Sequence, residues 1–303
     1  MKYIETPPSG DPSDIIQNFQ KIRLNIHCCR YWWLKHWKHQ RLFFPFWRFY
    51  WNMNEGGLVF YEKKVMLNPD RIILIPPNTP FSTDIIGDSY VSSMNSMLEG
   101  GWIRNKEMES NSLQNGFILH FFIHFNLGYP FDNLTPGIYL FSITKEQRLI
   151  IQRITDILKH GVSDFDFNES LDLYNLILSS ISFLSSNLWH HQSIEPKILD
   201  VMSYMNRNLR KNLTNEILAS TIRMSTNSFA RLFKQQTGNS PQKYLTKTRI
   251  ENACNLLHHS SLSINEIADH CGFSDRYYFT KVFTSSILLP PAQYRKQVLL
   301  KKY

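Results

Sequence analysis

The last third of the chain contains one helical pattern written twice, and few folds accommodate that. Phe229, Phe233, Pro241 and Tyr244 recur 50 residues later as Phe279, Phe283, Pro291 and Tyr294, while Leu218, Ala219 and Ser225 recur 49 later as Ile267, Ala268 and Ser274. A repeat of this period is one supersecondary unit used twice. The one-residue difference is expected just after Ser225 and Ser274, in the turn between two helices. In each unit a small residue, Ala219 or Ala268, lets two helices cross closely, and a phenylalanine pair at i, i+4 anchors the second helix on the core. The other face of that helix is left free.

Capping signals agree with the apolar spacing and place seven helices from Pro196 onward. Thr214 precedes a helix at 215–222, and Ser225 precedes one at 226–236, closed by Gly238 as a left-handed stop. Ser240-Pro241 opens the next helix, Ser263 with Glu266 forms a capping box, and Ser274 precedes a helix at 275–286. Each cap contributes about 1 kcal/mol.

Charge is divided as unevenly as the repeat. Residues 195–303 hold 16 Lys and Arg against 7 Asp and Glu, net +9; residues 1–194 hold 17 against 18, net −1; together they make the formal +8. A neutral module joined to a basic one that faces a polyanion fits this asymmetry, with nucleic acid the first candidate and an anionic membrane surface the second. An α-helix fits the DNA major groove, and the second helix of such a unit presents its N-terminal residues to base edges. The free positions hold Thr226, Asn227, Ala230, Arg231 and Lys234 in the first copy, and Arg276, Tyr277, Thr280 and Lys281 in the second. Arg pairs bidentately with guanine and Asn with adenine, whereas Lys and Thr also suit phosphate oxygens. A partner-binding or membrane-surface protein would explain the charge but not the repeat.

The front of the chain has another character. All seven tryptophans precede residue 194, and residues 41–51, RLFFPFWRFYW, read as strand, as do 58–61, 65–67, 72–75 and 117–125. Short strands separated by Asn-Pro-Asp and Pro-Pro-Asn-Thr-Pro turns argue for a small barrel or sandwich. Two helical stripes follow: Ile150, Ile151, Ile154, Ile157 and Leu158 within 145–159, and Leu171, Tyr174, Leu178, Ile181 and Leu188 within 169–188. Each suits packing onto the barrel or onto the same helix of a second copy, a homodimer. Residues 189–195 show no periodicity and are expected to be the linker. No stretch reaches the ~18 apolar residues of a membrane helix, and residues 1–14 lack a signal peptide's apolar run, so the expectation is a cytoplasmic protein. Cys28, Cys29, Cys254 and Cys271 show no metal or redox spacing and are expected to be reduced thiols.

At this level of detail residues 198–296 resemble the DNA-binding domain of the AraC/XylS family, two helix-turn-helix units joined by a long helix. The resemblance rests on ARLFKQQTGNSPQKYL at 230–245 and RIENACNLLHHSSLSINEIADHCGFSDRYYFTKVF at 249–283. It implies a sequence-specific transcriptional regulator whose two second helices enter successive major-groove segments about 34 Å apart, with double-stranded DNA and RNA polymerase as partners. One departure stands out: where relatives have Gly, this chain has Leu288, at a cost on the order of 1 kcal/mol if φ is positive there. More weakly, FFPFWRFYWN at 43–52, ILIPPNTPF at 73–81 and IHFNLGYPFD at 123–132 are similar to the family's cupin-type sensing domain. That implies a small effector, often a sugar, inside the barrel, and Trp32, Trp33, Trp37, Trp47 and Trp51 are candidates to stack on it.

The expected architecture is therefore α+β in two domains: a cupin-like barrel at 1–144, helices and linker at 145–195, and an all-α double helix-turn-helix at 196–303. A metal-dependent cupin enzyme is the rival for the front half, but no cofactor or metal is expected. His120 and His124 on one strand stand about 13 Å apart, too far to share an ion. His36 and His39, in the Trp-rich stretch, are candidates to line a pocket.

Overall fold

The computed structural model describes residues 22–87, 96–161, 164–189 and 194–298. The start of the chain and residues 190–193 of the expected linker lie outside the described residues. Nine strands, β1 (Asn25–Leu42), β2 (Trp47–Asn52), β3 (Gly57–Tyr61), β4 (Lys63–Met66), β5 (Arg71–Ile75), β6 (Phe81–Ile85), β7 (Ser96–Trp102), β8 (Ile118–Asn126) and β9 (Tyr139–Ser142), form one antiparallel sheet. Its order is β4-β3-β6-β1-β8-β2-β5-β9, with β7 also paired to β1. Among the described residues no ladder joins β4 to β9, so the curled sheet is a half-barrel.

Both faces of the central strands are covered, so β2, β5 and β8 are buried along nearly their whole length. Along β8, His120, Phe122 and His124 point to one face and Leu119, Phe121, Ile123 and Phe125 to the other. The second face packs on α2 (Lys145–Lys159) and α3 (Phe167–Ile181), while α1 (Lys106–Gln114) precedes β8. Residues 41–51 are not the single strand their aromatics suggest. Pro45 has no ladder donor, and the chain breaks between β1 and β2, where Phe44 and Phe46 turn inward and Phe44 O accepts from Asn78 N at 2.7 Å.

The stripe expected on α3 is also corrected. Leu173, Leu176, Ile177 and Ile181 are the buried residues, whereas Leu171, Tyr174 and Leu178 are about 40% exposed (43%, 42% and 39%). The helix is apolar on two faces, and packing against α2 selects one of them.

The back of the chain holds α4 (Pro196–Arg207), α5 (Asn215–Thr221), α6 (Thr226–Thr237), α7 (Pro241–His259), α8 (Ile264–His270), α9 (Arg276–Ile287) and α10 (Pro291–Val298). Thr214, Ser225, Ser240 and Ser263 cap their helices through the side-chain oxygen as expected. Ser274 does not: Asp275 is the cap of α9, its Oδ1 accepting from Tyr278 N at 2.7 Å. Asp275 lies 50 residues after Ser225, so the extra residue of the second unit sits before the cap, between Gly272 and Asp275. Gly272, at φ +77°, has no room for a side chain: a Cβ would lie 1.9 Å from Leu209 O.

The turn after α9 keeps the left-handed geometry despite lacking glycine. Leu288 has φ 64° and donates its N–H to Thr284 O at 2.8 Å, as Gly238, at φ 72°, does to Lys234 O at 2.9 Å. Its side chain is 84% exposed and gains little from packing. Leu288→Gly is therefore expected to stabilise the protein by roughly 1 kcal/mol, read as a higher urea midpoint; an unchanged or lower midpoint would mean that the leucine is not strained there.

Two cores divide these helices. The first unit packs around Phe229, Phe233, Ile198, Met202 and Leu245. The second, around Phe279, Phe283, Ile250, Leu257 and Tyr294, is continuous with the face of the sheet that carries Tyr50 and Phe122.

Candidate nucleic-acid interface and sensor cavity

The two second helices, α6 and α9, each bury a phenylalanine pair completely and turn the opposite face outward. On α6, Asn227, Arg231 and Lys234 are exposed and Thr226 and Ala230 are half-buried. On α9, Arg276, Tyr277 and Lys281 are exposed, Tyr277 at 83%, while Thr280 is half-buried and donates its hydroxyl to Arg276 O at 2.8 Å. Two surfaces of matching construction thus carry guanidinium, amide, ammonium and hydroxyl groups on short, capped helices.

A cavity of about 70 Å³, space for a few water molecules, lies between the half-barrel and the helical domain. Aromatic rings of Trp32, Trp37, Phe44, Tyr50 and Phe122 wall it, and His258 of α7 closes one side. Arg48 supplies its fixed charge. One guanidinium nitrogen donates to Tyr50 Oη at 2.5 Å and Cζ stands 3.7 Å from the Phe44 ring centroid, yet Nε and Nη2 have no hydrogen-bond partner among the described residues. Burial, with the nearby Arg48 charge second, lowers the His39 pKa to about 4 and that of His120 to about 3, so both rings are neutral at pH 7.

Of the tryptophans singled out from the sequence, Trp32 and Trp37 line this cavity. Trp33, Trp47 and Trp51 do not, because strand alternation sends them to the other face. Trp33 stacks on Phe117, Trp47 stacks on Phe125 and donates Nε1–H to Asp132 at 3.0 Å, and Trp51 donates to Pro69 O at 2.9 Å. His39 lines the cavity, while His36 lies 3.6 Å from Glu99. Arg48 escaped the sequence reading, although a lone charge inside FFPFWRFYW was a signal that it would be buried and used. His120 and His124 are separated by the Phe122 ring, at centroid distances of 5.3 and 5.0 Å, so they do not form a chelating pair.

Comparison with known proteins bears on the helical domain. The family described as "Helix-turn-helix domain" matches residues 218–297. The chain is similar to the HTH-type transcriptional activator RhaS of Escherichia coli O157:H7, with 31% identity over 128 residues, 42% of this chain and 45% of that protein. It is similar to the lactose operon transcription activator of Staphylococcus xylosus, with 31% identity over 102 residues, 34% of this chain and 37% of that protein. The chain thus spans less than half the length of these curated relatives. Among solved structures, ToxT from Vibrio cholerae O395 aligns over 92% of this chain and 98% of its own, at 12% identity and a TM-score of 0.48. Among the described residues no helix is long and apolar enough to cross a membrane.

Proposed function

The carboxyl-terminal domain belongs to the AraC/XylS family of helix-turn-helix domains, and from that premise we propose that the whole chain is a sequence-specific transcriptional regulator controlled by a small molecule. The observation that carries this reading is the pair of helices α6 and α9, each held by a buried phenylalanine pair and each presenting exposed Arg and Lys. Arg231 and Arg276 read base edges, with Asn227 as a second base contact. Lys234, Lys281, Thr226, Thr280 and Tyr277 hold phosphate, and Ala230 permits close approach to the groove floor. RNA polymerase is the downstream partner, in keeping with relatives that are named transcriptional activators. The cytoplasm is the compartment in which such a protein works.

The effector site is the cavity, and its walls suit a small polar molecule such as a sugar. Aromatic faces take the ring, and the unpartnered nitrogens of Arg48 take hydroxyl or anionic oxygens. Space for a few waters does not admit a sugar without movement, and His258 on α7 is part of the wall, so a ligand that enters displaces the helix joining the two units. It then shifts the population of DNA-competent protein by its differential affinity. The exposed side of α3, with Phe167 at 79% and Leu171, Tyr174 and Leu178 beside it, supports a homodimer.

Selection from a randomised duplex pool with the purified chain tests the reading. On the selected site, Arg231→Ala is expected to cost about 1 to 3 kcal/mol and to relax preference at one base pair. Lys234→Ala is expected to weaken all sequences alike and to reduce the salt slope by about 1. Equal losses for Arg231→Ala on selected and random duplexes would remove its reading role, and no enrichment of any sequence would overturn the proposal.

A further inference from the structure

At the junction of the two domains His124, which lines the cavity, meets two chemistry-bearing side chains outside the cavity lining, Cys28 and His259. Cys28 on β1 and His124 on β8 are partners across an antiparallel ladder, beside the irregularity between Ile26 and Cys28. His259 is the last residue of α7 and comes from the helical domain. One potential ligand atom from each, the thiol sulfur and two ring nitrogens, lie within 4.8 Å of one another. His124 is 98% buried (2% exposed), and neither of its ring nitrogens has a hydrogen-bond partner among the described residues; the same holds for both nitrogens of His259. A buried polar atom left unsatisfied costs about 1–3 kcal/mol, and four of them in one place call for a binding partner.

We propose that Cys28, His124 and His259 form a site for a thiophilic d¹⁰ cation, Zn²⁺ or Cu⁺, that clasps the half-barrel to the DNA-binding domain. One thiolate with two imidazoles is a donor set for such ions and not for Mg²⁺ or Ca²⁺, which take oxygen. Bond lengths of about 2.0–2.1 Å to nitrogen and 2.3 Å to sulfur bring tetrahedral ligand atoms to roughly 3.3–3.6 Å apart, so a limit of 4.8 Å calls for a contraction of at most about 1.5 Å. His258 packs beside the cluster, with its ring centroid 5.0 Å from that of His124 and 4.4 Å from that of His259.

The protonation states suit the ligands. Burial holds His124 well below the usual histidine range and brings His259 to about 2, so both rings offer lone pairs at pH 7. Burial also pushes the Cys28 thiol up to about 11, so the ion binds as that thiol releases its proton to solvent. The charges of Arg30 and Arg48 act on His124, and they favour an ion whose charge the thiolate cancels, which is Cu⁺. The metal arms of the experiment decide between the two.

The test uses the full chain, stripped with chelator, loaded with Zn²⁺ or with Cu⁺ under reducing conditions, desalted, and assayed for bound metal. One equivalent per chain is expected for at least one ion, and Co²⁺ in its place should give a thiolate-to-cobalt charge-transfer absorption. Cys28→Ser and His259→Gln should each lower retained metal at least tenfold, while Cys29→Ser, whose side chain packs on the other face of the sheet, should retain it. Less than a tenth of an equivalent of either ion in the unmodified chain overturns the proposal. So does full retention by Cys28→Ser; full retention by His259→Gln refutes the clasp between domains. Metal binding is read without DNA, so a chain that binds one equivalent but selects no duplex would keep this site and lose the regulator.

Discussion

Acidifying the chelator-treated protein from pH 7 to pH 5 is expected to destabilise it. Burial lowers the pKa of His27, His39, His120, His124, His258 and His259, with His39 at about 4, His120 at about 3 and His259 at about 2. A ring whose folded pKa lies below its unfolded value of about 6.5 stabilises the fold above that value, and the stabilisation is lost as pH falls toward the folded pKa. Two buried carboxyls act in the opposite sense. Burial raises Asp132 to about 6 and Glu251 to about 7, so their cost to the folded state is relieved as pH falls. The six rings outnumber the two carboxyls, so unfolding takes up protons and stability falls as pH drops from 7 toward 5. Each unit of pKa displacement is worth about 1.4 kcal/mol, against a typical total stability of about 5–15 kcal/mol. Urea titrations in chelator at pH 7.5, 6.5 and 5.5 check it: the midpoint should fall steeply across the series, and His120→Phe should flatten the fall. A constant midpoint would mean that these rings are already solvated.

Phe279→Ala should cost about 3–5 kcal/mol, the usual range for emptying a buried phenylalanine site. Its ring is fully buried, lies 5.5 Å from Phe283 and 5.2 Å from Phe273, and belongs to the core shared with the sheet. The counterpart Phe229→Ala should cost as much, but inside the separate core of the first unit. The two variants should therefore differ in reach. Tryptophan emission from the cavity wall should shift in Phe279→Ala and not in Phe229→Ala, while both lower the thermal midpoint by several degrees. A loss below about 1 kcal/mol for Phe279→Ala would show that the site collapses onto neighbouring rings.

The helical half was legible in the sequence because its signals are local. Ser225, Gly238, Ser240 with Pro241, and Ser263 with Glu266 each act within one turn of chain, and the repeat made them check one another. The one misplaced cap, Ser274 for Asp275, came from two adjacent good capping residues. The front half was harder because its decisions are long-range. β1 runs for 18 residues past partners on β6, β7 and β8, so Trp32 and Trp33 take opposite fates that composition does not separate. On α3 both Leu171 with Leu178 and Leu173 with Ile177 fit a helical stripe, and α2 chose the second. The cluster of Cys28, His124 and His259 joins two paired strands to the end of a distant helix, an arrangement with no trace in spacing.

The second helices of the two repeated units are not held alike. α6 rests on the core of the first unit, which Tyr129 of the front half only borders, whereas α9 shares its core with the sheet beneath the cavity. Under the proposed function, a disturbance in the aromatic chamber reaches α9 before α6, so an effector would regrade the grip on half of the operator and leave the remaining half as a constant tether.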